Sequence, residues 1–92
     1  FPVLEFDISI MVDENINNSE IETIIKKSSK LITQIEFKEC FRKDDWENQK
    51  SMTYKVKLQA KDRTLESKDL EETLQNCYKN LEKIGAYVPG SN

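Results

Sequence analysis

Met52-Thr53-Tyr54-Lys55-Val56-Lys57-Leu58-Gln59-Ala60 alternates apolar and polar side chains without a miss, the period of two of a strand with one buried face. Before it, Lys43 to Lys50 is polar apart from Trp46 and reads as a hairpin loop. The loop makes Ile35-Glu36-Phe37-Lys38-Glu39-Cys40-Phe41-Arg42 the partner strand, with an imperfect period near two. Strict alternation sets Phe37, Glu39 and Phe41 on one side and Lys38, Cys40 and Arg42 on the other. After the central strand, Lys61-Asp62-Arg63-Thr64 turns the chain and Ser67 is the expected N-cap of a helix. That helix buries Leu70, Leu74, Cys77, Leu81 and Ile84, and Gly85 suits its C-cap.

Further out, Leu4, Phe6, Ile8, Ile10 and Val12 alternate with Glu5, Asp7, Ser9 and Met11, giving a first strand. Asp13 to Asn18 supplies turn formers, and Ser19 with Glu22 forms a capping box for a helix starting at Glu20. Ile21, Ile24, Ile25, Ser28, Leu31, Ile32 and Ile35 make its apolar stripe, with Lys26, Lys27 and Lys30 on a solvated face. A last short strand, Ala86 to Val88, meets Pro89, which suits the end of an edge strand. The order β-α-β-β-α-β gives an α+β fold: a four-stranded antiparallel sheet, two helices on one face, the other face open.

Ninety-two residues allow one compact domain, residues 1–92, and with its start at Phe1 it is expected to be processed or a piece of a longer chain. A net charge of −3 excludes a domain that grips nucleic acid by bulk electrostatics, so any RNA contact must be local. With no His and only two Gly, neither a Ser-His or Cys-His nucleophile nor a phosphate-cradling loop can be assembled. Asp44 and Asp45, adjacent in a polar loop, read as solvated turn residues rather than a general acid and base. Cys40 and Cys77 lack metal-ligand spacing; both fall on apolar faces and are expected as buried free thiols, consistent with a reducing cytosol. No apolar run reaches the roughly 20 residues that span a bilayer, and no signal sequence opens the chain.

Chemistry is therefore sought on the open face. It should carry Glu5, Asp7, Ser9 and Met11 from the first strand and Ser51, Thr53, Lys55, Lys57 and Gln59 from the third. Phe41 is the misfit on this polar surface, because the parity that buries Cys40 turns its ring outward beside Glu39. An exposed ring on a sheet is a stacking surface for an unpaired base, with a neighbouring carboxylate or hydroxyl to select among base edges. The plain alternative is a bulge that moves Phe37 and Phe41 into the core.

Phe1-Pro2, Phe6-Asp7-Ile8-Ser9, Lys38-Glu39-Cys40-Phe41-Arg42, Lys50-Ser51-Met52, Arg63-Thr64-Leu65 and Ile84-Gly85-Ala86 together resemble the ferredoxin-fold anticodon-binding domain, which closes the phenylalanyl-tRNA synthetase beta chain of bacteria and the single-chain organellar enzyme. The resemblance covers nearly the whole chain and implies a ferredoxin-like fold whose open face meets the tRNA anticodon. In the family an aromatic stacks on a base beside an acidic residue and a serine; carried over, these are Phe41, Glu39 and Ser51, with Arg42, Thr53 and Lys55 completing the candidate tRNA-binding set. The family has Phe-Asp-Val-Tyr-Arg where this chain has Lys38 to Arg42. Phe for Tyr keeps the stacking surface and loses a hydroxyl, Glu for Asp lengthens the reach, and Lys38 replaces an apolar residue. The usual closing Leu-Arg, a phosphate contact, has no counterpart in Tyr87 to Asn92.

The resemblance further implies a cytoplasmic or organellar parent enzyme that joins phenylalanine to its tRNA with ATP and magnesium. This piece would hold no cofactor and no catalytic residue, its partners being the anticodon loop, the rest of the synthetase chain and an alpha subunit, with no membrane. The fold equally permits a protein-interaction or small-ligand regulatory module without RNA binding.

Overall fold

Three strands and two helices follow one another as β1 (Leu4–Asp13), α1 (Asn18–Lys27), β2 (Ile32–Phe41), β3 (Gln49–Leu58) and α2 (Ser67–Glu82) in a computed structural model that describes residues 1–89. The sheet is antiparallel with strand order β1-β3-β2, so the perfectly alternating segment lies in the middle. Lys50, Met52, Tyr54, Val56 and Leu58 point into the core and the intervening residues do not. Lys50 thus belongs to the strand rather than the loop, and its stem lies buried opposite Val12.

The expected fourth strand is reduced, among the described residues, to one bridge. Met11 N–H donates to the Tyr87 carbonyl at 2.7 Å and Tyr87 N–H to the Met11 carbonyl at 3.0 Å. The next hydrogen-bonded pair of that ladder would set position 89 against Ser9, and Pro89 has no N–H to give. The sheet is therefore three-stranded, with the Tyr87 segment at the outer edge of β1; Gly90 to Asn92, part of the closing stretch compared above with the family's Leu-Arg, lie outside the described residues.

Both helices lie on one face. Ile21 and Ile25 of α1 and Cys77 and Leu81 of α2 are buried with Ile8, Ile10, Tyr54, Val56 and Leu58. Each such aliphatic side chain contributes about 1.5–3 kcal/mol. The N-cap of α1 is Asn17, whose Oδ1 accepts from Glu20 N–H, and not Ser19; Glu22 is engaged instead by the Asn18 side chain. The helix stops at Lys27, short of the expected stripe. Ser28 Oγ turns back to the Ile24 carbonyl and Ser29 Oγ accepts from Leu31 N–H, so these serines end the helix and release Ile32 and Ile35 to β2.

α2 begins at Ser67, so Ser67 is its first helical residue and Glu66, not Ser67, is in the cap position. Asp69 accepts from the Glu66 N–H at 2.8 Å and takes two bonds from the Arg63 guanidinium, at 2.9 and 3.0 Å. This clasp gives the Arg63-Thr64-Leu65 segment a structural role, and Leu65 is buried beside it. At the far end Gly85 sits at φ +82°, and Ala86 N–H reaches back to the Leu81 carbonyl.

Candidate functional site

Whether Phe41 belongs to the core or to the open face is decided by one residue. Between Phe37 and Glu39 the β2–β3 register shifts, leaving Lys38 as an extra residue in a bulge. Phe37 stands opposite Tyr54 on the helix side, its ring centroid 5.8 Å from that of Tyr54. Glu39 is opposite Thr53 and Phe41 opposite Ser51, both on the open face. The strict alternation that grouped Phe37 with Glu39 and Phe41 is thus corrected, while Phe41 keeps its outward position with 49% of its surface exposed.

Cys40 does not follow the expectation of burial. It stands opposite the buried Met52 near the end of the edge strand β2 and is exposed. Cys77 is buried, as expected, and burial pushes its thiol pKa up.

Two adjacent cross-strand rows define the surface around Phe41. One runs Tyr87, Met11, Ser51, Phe41; the next runs Ser9, Thr53, Glu39, with Ser9 Oγ 2.9 Å from Thr53 Oγ1. Met11, expected on the exposed side, is buried. The Tyr87 hydroxyl donates to Gln49 Oε1 on β3 at 3.0 Å, so its ring crosses β1 and roofs Met11. Tyr87 and Phe41 then stand at opposite ends of a row about 14 Å long, three strand spacings of roughly 4.8 Å.

The hairpin loop completes this end. Trp46 N–H donates to the Lys43 carbonyl at 3.1 Å, forming a turn that lays the indole against Phe41 with centroids 5.6 Å apart and planes at 83°. Lys43 Nζ lies 5.6 Å from the indole centroid. Arg42 Nη1 reaches Glu14 Oε2 at 3.2 Å, and Glu14 N–H donates to the Asn48 carbonyl at 2.9 Å, tying both ends of the loop to the β1–α1 turn.

The other end of the face is charged. Lys55 lies between Asp7 and Glu36, with Nζ 3.8 Å from Glu5 Oε1, and Lys57 lies between Glu5 and Gln34. Carboxylates flank both outward-facing β3 lysines on at least one side. The structure therefore brings Glu39, Phe41, Ser51 and Thr53 together, sets Lys55 one row away among acids, and turns Arg42 toward Glu14. Trp46 and Tyr87 share this surface and were not singled out from sequence. A lone indole in an otherwise polar loop was the signal for the first; the second needed knowledge of the bridge.

Among the described residues, no three His, Cys, Asp or Glu side chains are grouped to hold a metal ion, and no helix is long and apolar enough to cross a membrane. A concavity of about 390 Å³ lined by Ile10, Tyr78, Leu81, Ala86 and Val88 lies on the helix side, away from Phe41.

The family model of the ferredoxin-fold anticodon binding domain matches residues 1–88. The chain is 31% identical to the phenylalanine–tRNA ligase beta subunit of Corynebacterium glutamicum, a match covering 98% of this chain and 11% of that protein. It is also 31% identical to the beta subunit of Clostridium acetobutylicum, over 91% of this chain and 11% of the relative, and 32% identical to that of Syntrophotalea carbinolica, over 96% and 11%. It spans about a tenth of the length of these relatives.

Proposed function

Because the chain belongs to the ferredoxin-fold anticodon binding domain family, we propose that its open sheet face recognises the anticodon loop of a tRNA on behalf of a phenylalanine–tRNA ligase. Phe41 supplies the stacking surface, Glu39 accepts hydrogen bonds from a base edge, and Ser51 and Thr53 offer hydroxyls to base or ribose. Lys55 and Arg42 stand within the surroundings of that surface, their charges shared with Glu5 and Glu14. Amino-acid activation, with ATP and magnesium, belongs to the remainder of the parent enzyme and its alpha subunit. Linkage to that body raises the effective concentration of the tRNA at this face, so a weak local contact suffices.

The observation that carries this reading is the half-exposed Phe41 ring between a serine and a glutamate on an uncovered sheet. Stacking one base on such a ring contributes about 1–3 kcal/mol. Phe41→Ala is therefore expected to weaken binding of an anticodon stem-loop roughly 5- to 150-fold. In an NMR titration, resonances of Phe41, Ser51 and Lys55 should move in the wild-type chain. If they stay still with the stem-loop and move instead with a protein or small-ligand partner, the face serves as an interaction module.

A further inference from the structure

We propose that Trp46 is a second base-stacking residue, forming with Phe41 a corner that holds an unpaired nucleotide whose phosphate is met by Lys43. The inference rests on the reading of the open face as an RNA surface and adds to it a residue from the hairpin loop.

The indole lies in a polar loop, half-buried, and like Phe41 and Tyr87 it stands outside the helix-side core. Its plane stands at 83° to that of Phe41 with centroids 5.6 Å apart. Two rings so disposed make an inside corner: a flat base parallel to one ring presents its edge to the other, and both contacts are favourable for aromatic groups. Lys43, fixed in the same turn by the Trp46 N–H to Lys43 carbonyl bond, holds its ammonium 5.6 Å from the indole centroid. A nucleotide is the ligand class that offers a planar base and an anion a few ångströms away; an amino-acid side chain offers one or the other. The ties of Arg42 and Asn48 to Glu14 fix the loop relative to the sheet, so the corner exists before the ligand arrives. Asp44, Asp45 and Glu47 in the same loop repel phosphate, which makes the base the main attraction.

Trp46 is the sole tryptophan, so its emission reports on this corner alone. The 92-residue chain is titrated with an RNA hairpin carrying the anticodon loop, and with the same hairpin made abasic in the loop. Association is read independently by the anisotropy of a dye on the RNA stem. Quenching of Trp46 emission by the intact hairpin, absent with the abasic one, is the expected result. Association without any change in emission overturns the role of Trp46 and leaves the reading of Phe41 standing. Equal quenching by both hairpins also overturns it, because phosphate proximity then accounts for the signal. No association with either hairpin overturns the RNA reading and this inference together. As a second measurement, Trp46→Ala should weaken association about 5- to 100-fold while Trp46→Phe retains most of it, and wild-type-like affinity of Trp46→Ala would remove the residue from the site.

Discussion

Tyr54 has no exposed surface, yet its hydroxyl donates to Asn18 Oδ1 at 2.7 Å, and Asn18 in turn donates to Glu22. Burial, reinforced by the charge of Glu22, pushes the Tyr54 pKa up, so the phenol stays a proton donor throughout the working range. Tyr54→Phe leaves Asn18 Oδ1 without that donor and should destabilise the chain by about 1–3 kcal/mol in urea unfolding. Asp69 behaves in the opposite sense. The Arg63 guanidinium and the Glu66 N–H hold its pKa down at about 2, below the ordinary carboxylate value of 3.8. Its contribution to stability is complete above about pH 4 and is lost as the pH falls from there through about 2. Asp69→Asn should lower the melting temperature at neutral pH and flatten the acid side of the stability profile, as followed by circular dichroism. Neither role was legible in the sequence. Asp69 lies three residues past Glu66 in a segment where Ser67 looked the better cap, and a tyrosine in an alternating strand gives no sign of which polar group it will meet.

At the scale of single elements, β1 and β3 could be read directly because one apolar face and one polar face leave only one register that keeps charges out of the core. α1 was harder. Leu31, Ile32 and Ile35 continue a spacing of three and four from Ile21 and also begin a spacing near two, so periodicity alone does not mark the boundary; the side-chain bonds of Ser28 and Ser29 do. β2 shows the same difficulty within a strand. Its bulge places Phe37 and Phe41 on opposite faces, a division that neither strict alternation nor a wholesale shift into the core describes. Lys38 is the residue inserted. Deleting Lys38 removes the extra residue and leaves Phe37, Glu39, Cys40 and Phe41 opposite Tyr54, Thr53, Met52 and Ser51 in an unbroken ladder, so Phe41 keeps its place on the open face. The expected outcome is stem-loop binding within a few-fold of the wild type and an unchanged Trp46 emission, with the helical circular dichroism signal retained. Loss of binding with the fold intact would show that the site needs the local twist of the bulge and not only the outward parity of Phe41.

For the molecule as a whole the net charge is −3, and on the open face the lysines flanked by Asp7, Glu5 and Glu36 leave few cations to displace counterions from RNA. With one or two phosphates contacted, the logarithm of the stem-loop association constant should fall against the logarithm of salt with a slope of about −0.7 to −1.4. A markedly steeper slope would point to a basic surface elsewhere and away from base stacking. The layered arrangement and the open face followed from patterning, because two amphipathic helices and three amphipathic strands have few ways to bury their apolar sides. A short last strand ending at Pro89 was expected, but not its reduction to the single bridge of Tyr87 with Met11.

The central strand separates two kinds of information. Positions 50, 52, 54, 56 and 58 maintain the fold, while 51, 53, 55 and 57 look outward from the same backbone. Substitutions in the outward set can accumulate, or be randomised together in a selection, without disturbing the side chains that keep the domain folded. Altered specificity and structural integrity are thus separately adjustable in this strand, which makes it the natural place to diversify what the domain reads.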